Sequence, residues 1–387
     1  MNNFEFYNPV RIVFGKGEIS ALKGLVPKDK KVMLTYGGGS IKKNGVYDQV
    51  KEALQGVDVI EFGGIEPNPH YETLMKAIEI VQKEKVDFLL AVGGGSVLDG
   101  TKFIAAGALW PGEDPWEILT GKTDFPLLKA LPLGSVLTLP ATGSEMNGNS
   151  VVTRVETQEK LAFGSPLVMP QFSILDPTVV FSLPDRQVAN GVVDAFVHVM
   201  EQYLTYPVDA PIQDRFAESI LTTLIEEGPK VLANRNDYNT AANFMWAATM
   251  ALNGLIGAGV PQDWATHAIG HEITAFHGVD HARTLAVVLP GLMHIKRSNK
   301  KDKILQYGAR VWNITEGTED ERIDQIISAT VKFFESVGIK TRLSDYDIDA
   351  SFITKVKTRF LHRGMVGIGE HGDISPDQVA EILEHQL

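Results

Sequence analysis

The sequence predicts an α/β domain with a mostly parallel sheet, followed by an all-helical domain. Short apolar runs alternate with amphipathic helical segments through the first half of the 387-residue chain, a pattern typical of a parallel sheet covered on both faces. From about Asp176-Pro177 onward, long segments with helical periodicity replace the strand-like runs. We therefore predict two domains, residues 1–180 and 181–387, a division that also suits the chain length.

The individual elements follow from the same patterns. The opening segment, NNFEFYNPVRIVFG, is interpreted as a β-hairpin whose edge strand would pair with a second copy of the chain. Buried strands are predicted for KVMLTY at 31–36, DVIEF at 58–62, DFLLAV at 87–92 and SVLTLP at 135–140. In the second half, helices are predicted at 185–205, 212–226, 240–257, 262–277 and 322–336.

Composition excludes several classes of function. A net charge of −12 argues against a nucleic-acid partner, because phosphate binding needs clustered Lys and Arg. Neither a membrane-spanning apolar run nor a secretory signal is recognised in the sequence, so we expect a cytoplasmic protein without a membrane partner. The chain has no cysteine, which excludes disulfides and sulfur-ligated metal sites. Any metal must therefore be held by nitrogen and oxygen.

Three glycine-containing loops directly follow predicted strands, at 36–40, 93–102 and 138–145. Glycine lets main-chain amides approach a ligand closely, and amides at a helix N-terminus stabilise a phosphate. The alternative is that these loops are only tight strand-to-helix turns, but three of them on one sheet favour a phosphate-bearing ligand. None matches G-x-G-x-x-G or the P-loop pattern, so neither an ordinary Rossmann dehydrogenase nor a P-loop phosphotransferase is supported.

Histidines concentrate in the helical half. Asp194 and His198 stand four residues apart, which places a carboxylate and an imidazole on one face of a helix. A single histidine is more simply a surface or core residue, but this pair together with a histidine-rich segment favours a metal site. The metallopeptidase signatures H-E-x-x-H and H-x-x-E-H are absent. Spacing alone leaves four candidates for the remaining ligands: His267, His271, His277 and His281.

These motifs resemble the iron-containing, or group III, alcohol dehydrogenases, and the resemblance covers almost the whole chain. The most similar branch is that of the NADPH-dependent aldehyde reductases and butanol dehydrogenases. The resemblance implies a Rossmann-like dinucleotide-binding α/β domain and an all-α metal-binding domain, an architecture shared with dehydroquinate synthase, and it implies a homodimer. It rests on NPVRIVFGKG, GGGSVLDGTK, ATGSE, the Asp-Pro at 176–177, GVVDAFVHVMEQY and the histidines between 267 and 281.

The resemblance also assigns the metal site. It implies one divalent metal held by Asp194, His198, His267 and His281. His271 would lie near the cofactor and relay a proton, Asp99 would lie at the nicotinamide end, and His277 has no implied role. These ligands suit zinc and iron alike, and zinc is favoured from the most similar branch.

Cofactor contacts are implied on the three loops and two further segments. Gly94, Gly95 and Ser96 would hold the pyrophosphate, and Lys160 would contact the nicotinamide ribose. The other predicted contacts are Gly37, Gly38, Gly39, Ser40, Asn68, Asp99, Thr138, Thr142 and Asn147.

The preference between NADPH and NADH is predicted from one position. Many NAD-preferring members carry an aspartate after the first strand, whose charge repels a ribose 2′-phosphate. That position is Gly38 here, with Ser40, Lys42 and Lys43 close by. Because amides, a hydroxyl and ammonium groups favour a dianion, we predict NADP(H).

The expected reaction is metal-assisted hydride transfer between a small alcohol or aldehyde and NADP(H). One alternative is a lyase of the dehydroquinate synthase type, which would need more Lys and Arg around the metal ligands, where Arg283 stands almost alone. A second alternative is a non-catalytic binder of nucleotide or metal, which would show no turnover.

Overall fold

The computed structural model describes residues 1–121 and 126–387, which form two compact units. The sheet unit consists of Tyr7–Pro184 and Asn234–Thr249. The helical unit consists of Met1–Phe6, Asp185–Ala233 and Met250–Leu387. Two short stretches, at the N-terminus and at 234–249, therefore pack with the unit formed mainly by the other half of the chain. The division into functional domains at 1–180 and 181–387 stays a prediction.

A parallel sheet of six strands is the centre of the sheet unit. The strands of this unit are β1 (Arg11–Phe14), β2 (Lys31–Tyr36), β3 (Asp58–Phe62), β4 (Phe88–Gly94), β5 (Leu133–Leu139), β6 (Asn149–Arg154), β7 (Glu159–Gly164) and β8 (Phe172–Leu175). The order in the six-stranded sheet is β1-β8-β5-β4-β2-β3, and every neighbouring pair is parallel. Two further strands, β6 and β7, form an antiparallel hairpin. The four strands predicted from the sequence are present as β2 to β5, and three of them are buried as predicted. The predicted burial of β3 is wrong, because β3 is an edge strand whose residues are exposed or half-buried.

The predicted N-terminal hairpin is wrong. Residues before Arg11 form no strand, and β1 pairs in parallel with β8 at the edge of the sheet. Pro9 lacks an N–H to donate to a ladder, and the side chain of Asn8 accepts a hydrogen bond from the Val10 N–H at 3.2 Å. These two residues turn the chain where a hairpin strand would have to continue.

Helices make up the regular structure beyond the last strand, as predicted, and the described part of the chain has no strand after Leu175. None of the described helices is long and apolar enough to cross a membrane. The α-helices are α1 (Leu22–Leu25), α2 (Val46–Ala53), α3 (Tyr71–Glu84), α4 (Gly95–Gly107), α5 (Glu117–Thr120), α6 (Asp185–Tyr203), α7 (Pro211–Ala233), α8 (Tyr238–Ala251), α9 (Ala265–His277), α10 (His281–Ile295), α11 (Lys301–Val311), α12 (Glu319–Ser336), α13 (Ser351–His362) and α14 (Pro376–Glu384).

The strand order creates a topological switch point between β2 and β4. From β2 the chain goes to β3 on one side, and it then returns to β4 on the other side. In open α/β sheets, ligands bind beyond the carboxyl ends of strands at such a point. The loop that begins at Gly37 follows β2, and helix α4, which begins at Gly95, follows β4 directly.

The helical unit has an apolar core of its own, built from α9, α10, α13 and α14. Helix α10 packs against both α9 and α6. Helix α6 is buried along almost its whole length, from Val188 to Tyr203. Polar side chains on the buried part of α6 therefore need partners within the unit.

Candidate functional site

Helix α6 presents three titratable side chains on one buried face. Asp194, His198 and Glu201 occupy positions i, i+4 and i+7, which lie above one another on a helix. All three are buried. The spacing predicted the first two as metal ligands, while Glu201 was not singled out.

Two consecutive helices supply the other histidines. His267 lies in the first turn of α9, and His281 is the first residue of α10. Helix α9 ends at His277 and is capped by Gly278, whose φ of 67° belongs to the left-handed region that favours glycine. Only three residues separate the two helices, so the chain reverses sharply and α10 packs back against α9.

The four predicted ligands come together. One ligand atom from each of Asp194, His198, His267 and His281 lies within 4.8 Å of the others. The Asp194 Oδ1 is 3.8 Å from Nε2 of His198 and 3.7 Å from Nε2 of His281. Ligands of a tetrahedral ion with bonds of about 2.1 Å are roughly 3.4 Å apart. The cluster therefore has nearly the dimensions of a metal site.

Asp194 provides an independent sign of cation binding. Its Oδ1 is buried and has no hydrogen-bond partner among the described residues. A buried carboxylate oxygen is costly unless it is paired or binds a cation. Three imidazoles and one carboxylate are also ligands that a borderline divalent ion accepts. These residues fit the metal that the sequence implied.

Glu201 contacts the metal cluster through His267. Its Oε2 is hydrogen-bonded to Nδ1 of His267 and accepts the main-chain N–H of His267 at 3.3 Å, while its Oε1 accepts the main-chain N–H of Thr266 at 2.5 Å. Burial raises the pKa of Glu201 to about 8. A carboxylate on Nδ1 leaves Nε2 as the ligand nitrogen. The signal in the sequence was the third member of D-x-x-x-H-x-x-E.

A buried ion cluster fixes the start of α9, next to His267. The Lys300 ammonium donates to Asp263 Oδ2 and to Glu370 Oε1, both at 2.6 Å. Asp263 in turn accepts the N–H of Ala265 at 2.8 Å and donates its own N–H to the carbonyl of Glu201 at 2.9 Å. Because these contacts join α9 to the end of α6, they hold His267 in register with the other ligands.

His271 lies beside the cluster but outside the set of four ligand atoms. It is one turn after His267 on α9, and its ring centre is 5.2 Å from that of His281 and 6.3 Å from that of His267. His277 lies elsewhere, with its ring 4.8 Å from that of Phe352. The four histidines that spacing left open are thus divided into two cluster members, one neighbour and one packing residue.

In the sheet unit, α4 begins directly at the end of β4. Gly94 is the last residue of the strand and Gly95 the first of the helix. A Cβ on Gly95 would lie 2.5 Å from side-chain atoms of Thr142, and a Cβ on Gly94 would lie 2.9 Å from Cβ of Leu139. Packing alone therefore requires glycine here. The first N–H groups of α4 have no partner within the helix and are therefore suited to bind a phosphate.

Three of the predicted cofactor contacts form one hydrogen-bonded cluster. The N–H of Asn68 donates to Ser96 Oγ at 3.2 Å, and Lys160 Nζ donates to Asn68 Oδ1 at 2.9 Å. Asn68 has a φ of 54°, so its position is set by an unusual main-chain conformation. Lys160 comes from β7 and Ser96 from the first turn of α4.

Asp99 and the segment after β5 form a second cluster. Asp99 accepts hydrogen bonds from Ser144 Oγ at 2.6 Å and from the Val151 N–H at 3.0 Å, and burial raises its pKa. Thr142 accepts the Ser144 N–H at 3.2 Å. Asn147 bonds within the segment, to the Gly143 carbonyl at 2.9 Å. Thr138, near the end of β5, is buried.

The remaining predicted contacts follow β2. Gly37, Gly38 and Gly39 form the bend, and Ser40 begins a 3-10 turn. A Cβ on Gly38 would meet no atom within 4 Å. Lys42 donates to the hydroxyl of Tyr36 at 2.8 Å and lies 3.7 Å from the carboxylate of Glu61. The loop thus carries the positive charge of Lys42, which is paired with the carboxylate of Glu61.

Comparison with known proteins identifies the family. A model described as iron-containing alcohol dehydrogenase matches residues 9–177, and one described as the C-terminal part of the Fe-containing alcohol dehydrogenase family matches residues 188–387. The chain is 60% identical to the NADPH-dependent aldehyde reductase YqhD of Escherichia coli over 99% of both proteins. It is 43% identical to a probable NADH-dependent butanol dehydrogenase of Bacillus subtilis over the full length of both.

Solved structures agree with this assignment. The crystal structure of Escherichia coli YqhD has a TM-score of 0.98 at 59% identity, covering 100% of this chain and 99% of that one. A butanol dehydrogenase from Thermotoga maritima has a TM-score of 0.95 at 36% identity, with the same coverage. The two-domain fold implied by the sequence is confirmed, and the chain belongs to the iron-containing alcohol dehydrogenase family.

Proposed function

We propose that this chain is an NADP(H)-dependent alcohol dehydrogenase that acts as an aldehyde reductase. The observation that carries the proposal is the cluster of Asp194, His198, His267 and His281, in which only His281 is not fully buried and one Asp194 oxygen has no hydrogen-bond partner among the described residues. The relative YqhD, which is 60% identical, is an NADPH-dependent aldehyde reductase. This similarity supports the same cofactor and substrate class here.

The four side chains are proposed to hold one divalent metal. Bound there, such an ion supplies a Lewis acid that polarises a carbonyl or an alcohol oxygen. Imidazole and carboxylate suit iron and zinc. The family description names iron, and our sequence prediction of zinc has no further support, so metal analysis of the purified protein has to decide between them.

The sheet unit is proposed to hold NADP(H), which supplies the hydride. The amides of Gly94 and Gly95 at the start of α4 would bind the pyrophosphate, and Lys160, positioned by Asn68, would bind the nicotinamide ribose. Gly38 leaves space for a 2′-phosphate, with Ser40 as a hydroxyl donor. The assignment of NADP(H) rather than NAD(H) depends on this loop, since relatives differ in cofactor.

Proton transfer is proposed to involve His271. The product alkoxide needs a proton, and an imidazole is the side chain best suited to supply one near neutral pH. His271 lies next to His281 without belonging to the four-atom ligand set. Asp99 is proposed to orient the nicotinamide end, because both of its carboxylate oxygens are fixed by hydrogen bonds.

The functional domains at 1–180 and 181–387, a homodimer and a cytoplasmic location stay predictions from the sequence.

Oxidation of NADPH with butanal as substrate tests the function. We expect turnover in the wild type and a loss of at least 100-fold in His267→Ala and His281→Ala, a scale typical of losing electrostatic stabilisation of the transition state. His277→Ala is the matched control, since that ring packs on Phe352, and it should retain activity. No turnover with any aldehyde would favour the non-catalytic binder, and undiminished turnover in both cluster variants would exclude a metal mechanism.

A further inference from the structure

Lys102 is a fully buried ammonium that the proposed mechanism does not use. It lies on α4 and has no exposed surface. Its Nζ donates three hydrogen bonds, to Ser144 Oγ at 2.7 Å, to Asn147 Oδ1 at 3.1 Å and to the Asn149 carbonyl at 2.8 Å. These use all three of its N–H groups. Burying an ammonium is costly. A buried lysine whose three N–H groups are all hydrogen-bonded therefore indicates a role beyond packing.

The hydrogen bond from Lys102 to Ser144 fixes the direction of the hydrogen bond between Ser144 and Asp99. An ammonium only donates, so Ser144 Oγ must accept from Lys102. Its own hydrogen is then free to point to Asp99 Oδ1, 2.6 Å away. The second Asp99 oxygen accepts the Val151 N–H at 3.0 Å. Lys102 therefore holds Asp99 in one orientation through Ser144.

Lys102 also ties the segment 142–149 to α4. Asn147 accepts from Lys102 and from the Asn149 N–H, and it donates to the Gly143 carbonyl. This closes the segment on itself, with the ammonium as its anchor. Thr142, at the start of the segment, lies against Gly95, where an added Cβ would approach within 2.5 Å. The distance between the start of α4 and Thr142 thus depends on this anchor.

We propose that Lys102 is a positioning residue for the dinucleotide. It orients Asp99 and sets the spacing between the amides at the start of α4 and the segment 142–149. The inference rests on the proposed function, because it assumes that the dinucleotide binds along these residues. It assigns a role in cofactor affinity to a side chain that does not itself touch the cofactor.

Lys102→Met and Ser144→Ala test the proposal. NADPH binding is measured by the change in its fluorescence, alongside kinetics with butanal and analysis of metal content. We expect the Kd and KM for NADPH to rise roughly tenfold or more in Lys102→Met, the scale of one lost hydrogen bond to a charged group. Ser144→Ala should show a smaller rise in the same direction. The KM for butanal and the metal content should not change.

Controls separate positioning from simple stability. Ser135→Ala removes a buried hydroxyl of the same unit, bonded to Ser173 at 2.7 Å, and should leave NADPH affinity unchanged. The chain has no cysteine, so Lys102→Cys can be alkylated selectively with 2-bromoethylamine in denaturant and refolded, with wild type taken through the same cycle. Restoring an ammonium at this position should restore NADPH affinity.

The outcomes are distinguishable. Folded Lys102→Met and Ser144→Ala proteins that bind NADPH as tightly as wild type would overturn the inference, even if their melting temperatures fall. If Lys102→Met does not fold, an unchanged Kd in Ser144→Ala is sufficient to overturn it. Wild type that binds no NADPH would instead refute the proposed function.

Discussion

Glu201 determines which nitrogen of His267 faces the metal cluster. An imidazole has two nitrogens, and a carboxylate on Nδ1 keeps the proton there and leaves the Nε2 lone pair as ligand. Glu201 is itself fixed by two main-chain N–H groups at the start of α9. Its position is set by the fold, so it acts on metal affinity without being a ligand.

Glu201→Gln should weaken metal binding by roughly 10- to 100-fold, the usual cost of losing such a partner. The amide is neutral, and its NH₂ group cannot accept the hydrogen bonds that the second carboxylate oxygen accepts. Competition with a chelator of known affinity measures the effect. Glu218→Gln is the control, because Glu218 bonds Tyr203 and Arg310 in the same unit and contacts none of the four ligands. Equal metal affinity in all three proteins would contradict this role.

Gly38 is the residue on which cofactor choice is expected to depend. In Gly38→Asp, the Kd for NADPH should rise by a factor about ten times larger than the Kd for NADH, because a carboxylate there repels the 2′-phosphate. An added Cβ meets no atom within 4 Å, so the change tests charge and not fit. Gly38→Ala, the uncharged control, should keep the preference for NADPH. Equal losses for both cofactors in Gly38→Asp would refute the assignment.

Close approach between helices shapes the unit that carries the metal cluster. Gly291 lies in α10, the helix that begins with His281, and a Cβ there would lie 2.6 Å from the Ile382 carbonyl of α14. Because this neighbour is main chain, it cannot move as a flexible side chain would. The absence of a side chain at Gly291 therefore sets how closely α10 packs on α14.

Gly291→Ala should lower the free energy of unfolding by about 1–3 kcal/mol, the usual cost of overpacking. Thermal or denaturant unfolding followed by circular dichroism measures it. Gly24→Ala is the matched control, since its Cβ would meet nothing within 4 Å and its φ is not positive. That control should change stability by no more than about 0.5 kcal/mol. An unchanged free energy of unfolding in Gly291→Ala would show that α10 and α14 can move apart without cost.

Periodicity in the sequence was sufficient to predict most strands and helices, but not where they end or which strands pair. Strands β2 to β5 could be predicted because each is a short, mainly apolar run bounded by loops. The N-terminal hairpin could not, because the alternation of NNFEFYNPVRIVFG does not show that β1 pairs with β8, some 160 residues away. Helix α9 begins at Ala265 and not at 262, because Trp264 has a left-handed φ of 63° and Asp263 accepts the Ala265 N–H, features that periodicity does not reveal.

At the scale of the whole molecule, the candidate site depends on residues that are far apart in the chain. Spacing identified Asp194 and His198 because they share one helix, but only the resemblance selected His267 and His281. Glu201 and Lys102 were missed for different reasons. Glu201 was visible as the next residue on the same helix face, whereas a lysine is so rarely buried that its sequence context gave no reason to expect it.

Removing the metal should destabilise the protein, because the ion binds only the folded cluster. An ion present at 100 times its Kd adds about 2.7 kcal/mol of stability, which corresponds to a shift in Tm of roughly 5–10 °C for a unit of this size. Differential scanning calorimetry of the chelated and reloaded protein measures the shift. His267→Ala should melt at the same temperature with and without metal. A wild type that does the same would mean that the cluster holds no ion.

The most direct test is a titration of the metal-free enzyme with iron(II) or zinc, following NADPH oxidation with butanal. The account predicts almost no activity without metal, a linear rise up to one equivalent per chain, and no further rise beyond it. Full activity in the metal-free protein, or a rise that continues well past one equivalent, would contradict a single metal held by Asp194, His198, His267 and His281.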